Sequence, residues 1–540
     1  MESIRKIQIV SSLEKIFPNS GDDLSSFDFF SMLKNEKKSF QLVFKAEKGE
    51  KIEFSVESPL EKNMRFSYVK LIPAKMTLPY KYDDYYLDSD RREFPDLLEP
   101  MEGYSFTAKY NGLNSVWVQI SGDISAGSYE SIFSCGGDTA VINTEVIDAK
   151  LPDQELIYTN WFHTDCLMSY YGFSAFSKEY WQCTENFLRR AAEYGMNCVL
   201  TPLFTPPLDT QVGGERPTVQ LVDVTVTGKN KYNFSFDKLD KWVEMCERCG
   251  IKYFEMSHLF TQWGAKHAPK IVAVKNGREK KIFGWLTSAS GKRYRLFIEQ
   301  FAAELKKYIN KKGIKERCIF HVSDEPAKRQ LKAYSKAAAI IHENFSDFRI
   351  TDSLSDFSFY KNGVVETPIP ATDHIEPFIG EVPELWAYYC SAQGQKYVSN
   401  RFFAMPSERN RILGFQLYKY DVKGFLHWGY NFYYTRFSKR LVDPFTESDA
   451  GGKFPAGDSY VVYPGKNYEP LDSLRLHVFY DGFQDMLALK LLEKLTSKEK
   501  ATAIIEGELE KPLTFSEYPH SAEWILKTRE KINSEIKKNL

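Results

Sequence analysis

One change of rhythm constrains this chain more than any other feature. Through about the first 150 residues apolar side chains recur at every second position. From about residue 156 the pattern becomes short apolar runs separated by helix-period segments. Period two is the spacing of one strand face, and a period near 3.6 is that of one helix face. The switch predicts an all-β unit followed by an alternating β/α unit.

In the first unit, residues 39–45 and 51–56 flank Glu47-Lys48-Gly49-Glu50, a hairpin signal. Residues 64–72, 115–120, 129–134 and 140–147 extend the alternation, so residues 1–150 are expected to form an N-terminal β-sandwich. Residues 80–98, rich in Tyr, Asp and Arg, read as a long loop. In the second unit eight apolar runs stand out, at 156–162, 197–203, 252–256, 317–322, 349–353, 366–370, 385–390 and 424–428. Helix-period segments at 185–194, 239–248, 294–312, 331–345 and 408–420 alternate with them, and Gly195, Gly250, Gly313 and Gly424 stop several. This predicts a (β/α)8 TIM barrel over residues 151–495, closed by an amphipathic helix at 474–495. A charged helical extension over 496–540 is expected as an appendage.

The formal net charge of −1 gives no electrostatic reason to expect nucleic acid or an anionic membrane as partner. No run of about 18 apolar residues is present. The opening residues 1–6 show no signal-peptide pattern, so a cytoplasmic location is expected. The eight cysteines are scattered and read as small buried hydrophobes. Cys246 and Cys249 form a lone CxxC at a helix end, without a second ligand pair.

Barrels gather their chemistry at the C-terminal ends of the strands. The first run offers Trp161, His163 and Asp165, and the third offers His258 with Gln262 and Trp263 beyond. The fourth, Cys318-Ile319-Phe320-His321-Val322-Ser323-Asp324-Glu325-Pro326, ends in two adjacent carboxylates and a proline. The fifth offers Asp352, the seventh Trp386, Tyr388 and Tyr389, and the eighth Trp428, Tyr430 and Asn431. His321 and His427 lie mid-strand and read as core groups. Carboxylates and aromatics suit a sugar, whose C–H faces pack on rings. No phosphate-binding glycine motif is present.

Adjacent strand residues face opposite ways, so Asp324 and Glu325 share a pocket only if the backbone turns between them. Pro326 fits a strand that has ended. Two separate carboxylates on different strands are the usual glycosidase arrangement. A consecutive pair suggests another division of labour. Glu325 is the expected acid, and Asp324 is expected to stay ionised and orient a nucleophile carried by the substrate, such as a 2-acetamido group. Helix capping is the commoner role of an isolated Asp-Glu pair before a helix.

These residues resemble glycoside hydrolase family 123 and its wider relatives. The matching pieces include Phe94-Pro95-Asp96-Leu97-Leu98-Glu99-Pro100, Ser115-Val116-Trp117-Val118-Gln119-Ile120 and His321 to Pro326. Also matching are Tyr418-Lys419-Tyr420, Gly424-Phe425-Leu426-His427-Trp428, Gly457-Asp458-Ser459-Tyr460 and Leu474-Arg475-Leu476 leading to Asp481-Gly482. The resemblance implies a sandwich plus barrel and retaining exo-hydrolysis of terminal β-N-acetylgalactosaminides, assisted by the substrate's own acetamido oxygen. It places acid/base work on Glu325 and acetamido orientation on Asp324. Expected sugar contacts are Trp161, His163, Asp165, His258, Trp386, Tyr388, Trp428, Tyr430 and Asn431. Tyr388 and Tyr430 are the candidates to hold the acetamido carbonyl. No cofactor or metal is implied, the partner is a glycan or small glycoside, and a homodimer is one option for assembly. Alternatives are another β-hexosaminidase, a glycan-binding protein without activity, and a metal-dependent hydrolase using His163 and His258.

Overall fold

The computed structural model describes residues 7–21 and 24–540. Residues 1–6, where the sequence lacks a signal-peptide pattern, lie outside the described residues.

The N-terminal region is all-β. A five-stranded sheet runs in the order Ile7–Ser11, Lys38–Ala46, Gly112–Ile120, Met64–Pro73, Glu93–Pro100. A four-stranded sheet runs Phe29–Leu33, Asp138–Ile147, Gly127–Cys135, Ser55–Glu57. Phe40, Leu42 and Val118 of the first sheet join Phe30, Phe133 and Ile142 of the second in one apolar cluster. This is the destination of the period-two residues.

Two local expectations are corrected here. The strand Lys38–Ala46 does not fold back on residues 51–56; it pairs with Ile7–Ser11 and Gly112–Ile120. Lys51–Glu53 pairs instead with Ser105–Thr107. Residues 80–98 are not loop throughout, because Glu93–Pro100 is a strand beside Met64–Pro73. It occupies the sheet edge, where Pro95 and Pro100 are tolerated because a backbone donor is dispensable there.

The second region contains eight parallel strands, each within a run expected from sequence: β1 (Ile157–Asn160), β2 (Cys198–Thr201), β3 (Tyr253–Met256), β4 (Cys318–His321), β5 (Arg349–Ser353), β6 (Thr367–Ile369), β7 (Trp386–Tyr388) and β8 (Gly424–His427). They pair in the order β6-β5-β4-β3-β2-β1-β8-β7. The gap between β6 and β7 is spanned by a bridge from Ala371 to Tyr388, and Tyr388 N donates to Pro370 O at 3.0 Å, so the barrel is nearly closed. Ile157, Leu200, Ile319, Ile369, Trp386 and Leu426 cluster together, while Tyr158, Val199, Phe254, Phe320 and Phe425 join a second cluster with the helices. Burial on both faces explains the continuous apolar runs. Gly424 is required by close approach, since a Cβ there would lie 2.1 Å from Trp386 Cδ2.

The long connections after β2 and β3 each carry a hairpin. Asp223–Gly228 with Lys231–Ser235 and Ile271–Lys275 with Arg278–Phe283 merge into one four-stranded sheet. The helix Leu474–Leu495 is buried around most of its circumference rather than on one stripe. The last residues account for that. Helices Lys498–Glu506 and Ala522–Lys538 pack on it, so the C-terminal stretch is structural and not a loose appendage. Arg529 reaches Asp485 at 3.0 Å and Glu36 at 2.7 Å, while Asn533 Nδ2 donates to Ser31 Oγ at 2.9 Å. The last helix thereby ties the β region to the barrel. No helix among the described residues is long and apolar enough to cross a membrane.

Candidate active site

The C-terminal end of β4 is held by Asp352 of β5. Asp352 Oδ1 accepts from the backbone N–H groups of Val322 at 3.1 Å and Ser323 at 3.2 Å. Beyond them the chain turns. Glu325 has a left-handed φ of 43°, its N–H donates to Ser353 O at 3.0 Å, and Trp263 N donates to Asp324 O at 3.0 Å. Left-handed backbone is costly for a glutamate and persists only when its surroundings enforce it. The turn cancels the strand alternation, and both carboxylates line one cavity of about 230 Å³. That volume falls below the roughly 300–1,000 Å³ typical of drug-sized ligands, so it suits a single sugar ring.

The pair is electrostatically loaded. Burial, followed by the charge of Glu325, raises Asp324 well above the ordinary carboxylate range. Burial also raises Glu325. Two neighbouring buried acids oppose each other's ionisation. Specific donors work against that rise. Gln262 Nε2 donates to Asp324 Oδ2 at 2.6 Å, and Tyr388 OH donates to Glu325 Oε1 at 2.8 Å. Cys390 Sγ lies 3.8 Å from the same Glu325 oxygen.

Beneath the pair lies a second layer of charge. His321 Nε2 is 2.7 Å from Glu255 Oε1 and its Nδ1 is 3.4 Å from Asp352 Oδ1. Despite burial, the two carboxylates push this imidazole up to about 10. Trp161 Nε1 donates to the same Glu255 oxygen at 2.7 Å. The mid-strand histidine is thus a buried group held between two carboxylates.

Of the expected sugar contacts, Trp161, His163, Tyr388 and Trp428 line the cavity. Asp165, His258, Trp386, Tyr430 and Asn431 do not, for separate reasons. Asp165 forms a two-pronged ion pair with Arg216 at 2.7 and 2.8 Å. His258 is buried between Trp161 and His321, with ring centroids 5.4 and 4.6 Å away. Trp386 lies one pleat repeat deeper than Tyr388 on β7 and packs over Gly424. β8 ends at His427, and Tyr430 OH beyond it donates to Phe187 O at 3.1 Å, which removes it from the acetamido role. Asn431 Oδ1 accepts from His163 N at 2.8 Å, so it positions His163 instead of touching the cavity.

His163 itself is locked neutral. Its Nδ1 lies 3.1 Å from Arg216 Nη2 and its Nε2 lies 2.9 Å from Trp428 O, so Nε2 carries the proton. Burial and Arg216 lower it to about 3. Neither ring nitrogen is free to bind zinc with His258. His258, His321 and Asp352 do bring ligand atoms within 4.8 Å of one another, but His321 already faces Glu255 and Asp352.

The sequence reading missed much of the rim. Leu208 and Asp209 after β2, and Phe432, Arg436 and Phe454 after β8, also line the cavity. Asp458, within the quoted Gly457-Asp458-Ser459 motif, accepts from Trp428 Nε1 at 3.0 Å and sets that ring's orientation. The long connection at 205–234 was the available signal for Asp209.

The profile described as "Glycoside hydrolase 123, catalytic domain" matches residues 161–492, more than half of the chain. This chain belongs to glycoside hydrolase family 123. It is a glycoside hydrolase, and the loaded carboxylate pair lies inside the matched span. A family 123 glycoside hydrolase from Clostridium perfringens, described in connection with glycolipid glycan hydrolysis, is similar in fold: TM-score 0.74 at 15% identity, covering 98% of this chain and 97% of that one. A family 2 glycosyl hydrolase from Bacteroides cellulosilyticus gives a TM-score of 0.29 at 9% identity, covering 79% of this chain and 46% of that one. A family 10 xylanase with a bacterial Ig-like domain, from termite gut, gives 0.33 at 9% identity, covering 86% and 100%. Those two likenesses carry no weight. No curated protein matches the chain.

Proposed function

We propose that this family 123 enzyme is a retaining exo-β-N-acetylhexosaminidase, with terminal β-N-acetylgalactosaminides as its substrates. One observation carries the reading: Asp324 and Glu325 converge on a one-ring cavity, with Glu325 Oε1 held by Tyr388. The second oxygen of Glu325 carries the proton and gives it to the glycosidic oxygen. The 2-acetamido oxygen attacks the anomeric carbon as the aglycone leaves, forming an oxazolinium-type ring. Asp324, ionised once the substrate N–H donates to it, holds the acetamido group in place. Glu325, now a base, removes a proton from water as it opens the ring, and the β configuration returns. Trp428, with its indole fixed by Asp458, is the sugar platform.

The test is a nitrophenyl glycoside panel of β-GalNAc, β-GlcNAc, β-galactose and α-GalNAc, with the anomer of the first-formed product read by NMR. Turnover that requires the N-acetyl group and yields the β anomer supports the reading. Equal turnover of plain β-galactoside refutes substrate assistance.

A further inference from the structure

Asp209, Asp324 and Glu325 give the cavity lining three acids, and Arg436 is its single cation. Arg436 is half-buried, and its guanidinium lies 4.7 Å from the Phe437 ring centroid. Among the described residues it forms no ion pair, whereas Arg440 in the same loop is paired with Glu447 at 2.6 Å. Asp209 feels its charge through space, but Asp209 Oδ2 is occupied by Phe437 N at 2.8 Å.

The loop is held in place. Arg436 N donates to Ala450 O at 3.2 Å and Ser438 Oγ donates to Asp209 O at 2.7 Å. Phe437 and Ser438 take left-handed φ values of 64° and 53°. Phe437 meets the edge of Trp263, at 5.8 Å and 85°, and Trp263 is 36% exposed at the cavity rim. Exposed Lys439 adds a second cation, 5.9 Å from the Phe437 ring centroid. A guanidinium without an ion-pair partner, on an anchored loop and near an exposed indole, is a site for a ring bearing an acid.

We infer that the aglycone site selects glycosides whose penultimate sugar carries a carboxylate or sulfate. Arg436 holds the anion and Trp263 stacks on the ring. This deepens the proposed function and rests on it, since it places the N-acetylhexosamine inside and the acidic residue at the rim.

The experiment compares four β-N-acetylhexosaminyl disaccharides, linked to glucuronate, its methyl ester, 6-sulfogalactose or galactose. kcat/KM is measured for the wild type, Arg436→Gln and Arg436→Lys. Calorimetric Kd values are measured on Glu325→Gln alone and combined with Arg436→Gln. The wild type is expected to favour at least one acidic member over its neutral counterpart by about tenfold, less at high salt. Arg436→Gln collapses that ratio, and Arg436→Lys keeps part of it. The two acids separate carboxylate from sulfate as the preferred group. Equal treatment of acidic and neutral partners by the wild type, or an unchanged ratio in Arg436→Gln, overturns the inference. If no member is cleaved, the hexosaminidase reading fails and the Kd ratios alone decide this one.

Discussion

Gln262 donates to Asp324 Oδ2 at 2.6 Å while its own carbonyl oxygen accepts from Asp209 N, also at 2.6 Å. The second contact fixes which end of the amide faces the acid. Gln262 therefore favours the ionised form of Asp324 against burial and the Glu325 charge. Replacing it by leucine raises Asp324 further. The acid limb of the kcat/KM profile should move to higher pH, with a loss of about 10- to 100-fold at neutral pH, as expected for a lost hydrogen bond to a charged group worth about 1.5–3 kcal/mol. An unmoved acid limb would refute this role.

Tyr388→Phe acts on the opposite limb. The phenol favours ionised Glu325, so its removal raises Glu325, and the acid stays protonated to higher pH. The alkaline limb of kcat/KM should move upward. The two limbs belong to the carboxylate pair as a unit, so both variants need full pH profiles and not single-pH rates.

Glu325→Gln removes the proton donor with little change of shape. Turnover of aryl N-acetylhexosaminides should fall by about 10²–10⁴-fold, the usual contribution of a general acid. Circular dichroism and the thermal midpoint should match the wild type. Wild-type-like turnover would move the acid elsewhere.

His321→Asn leaves Glu255 and Asp352 facing each other in the barrel without their shared cation. Breaking a buried ion pair by removing one partner costs about 3–5 kcal/mol. Urea unfolding should report a loss of that order, and a loss below about 1 kcal/mol would show that the cluster relaxes freely.

His163 makes stability pH-dependent. Its folded value lies near 3, against 6.5 for an unperturbed imidazole. Between those values the unfolded chain takes up a proton that the folded chain refuses. This contribution to stability is present above about 6.5 and is lost as pH falls, at up to about 1.4 kcal/mol per unit. The drop in urea midpoint from pH 7 to pH 5 should be smaller in His163→Gln than in the wild type.

The barrel was legible because its strands are buried on both faces and read as unbroken apolar runs. The turn carrying Asp324 and Glu325 was legible because acids and a proline end one such run. The pairing of Lys38–Ala46 with Gly112–Ile120 was not, since a strand carries its own period but not its partner's address. The Asp165–Arg216 ion pair was invisible for the same reason, with its members 51 residues apart. Trp386 and Tyr388 share a strand face, and depth within the barrel, which sequence does not record, decides which of them meets the cavity.

The clasp between Arg529 and Glu36 also sets an order of events during synthesis. Strand Phe29–Leu33 is made early, yet the contact of its Ser31 with Asn533 waits for a residue 502 positions later. A nascent chain halted before Arg529 would hold Glu36 without that counter-charge and leave helix Leu474–Leu495 without the cover of the last helix.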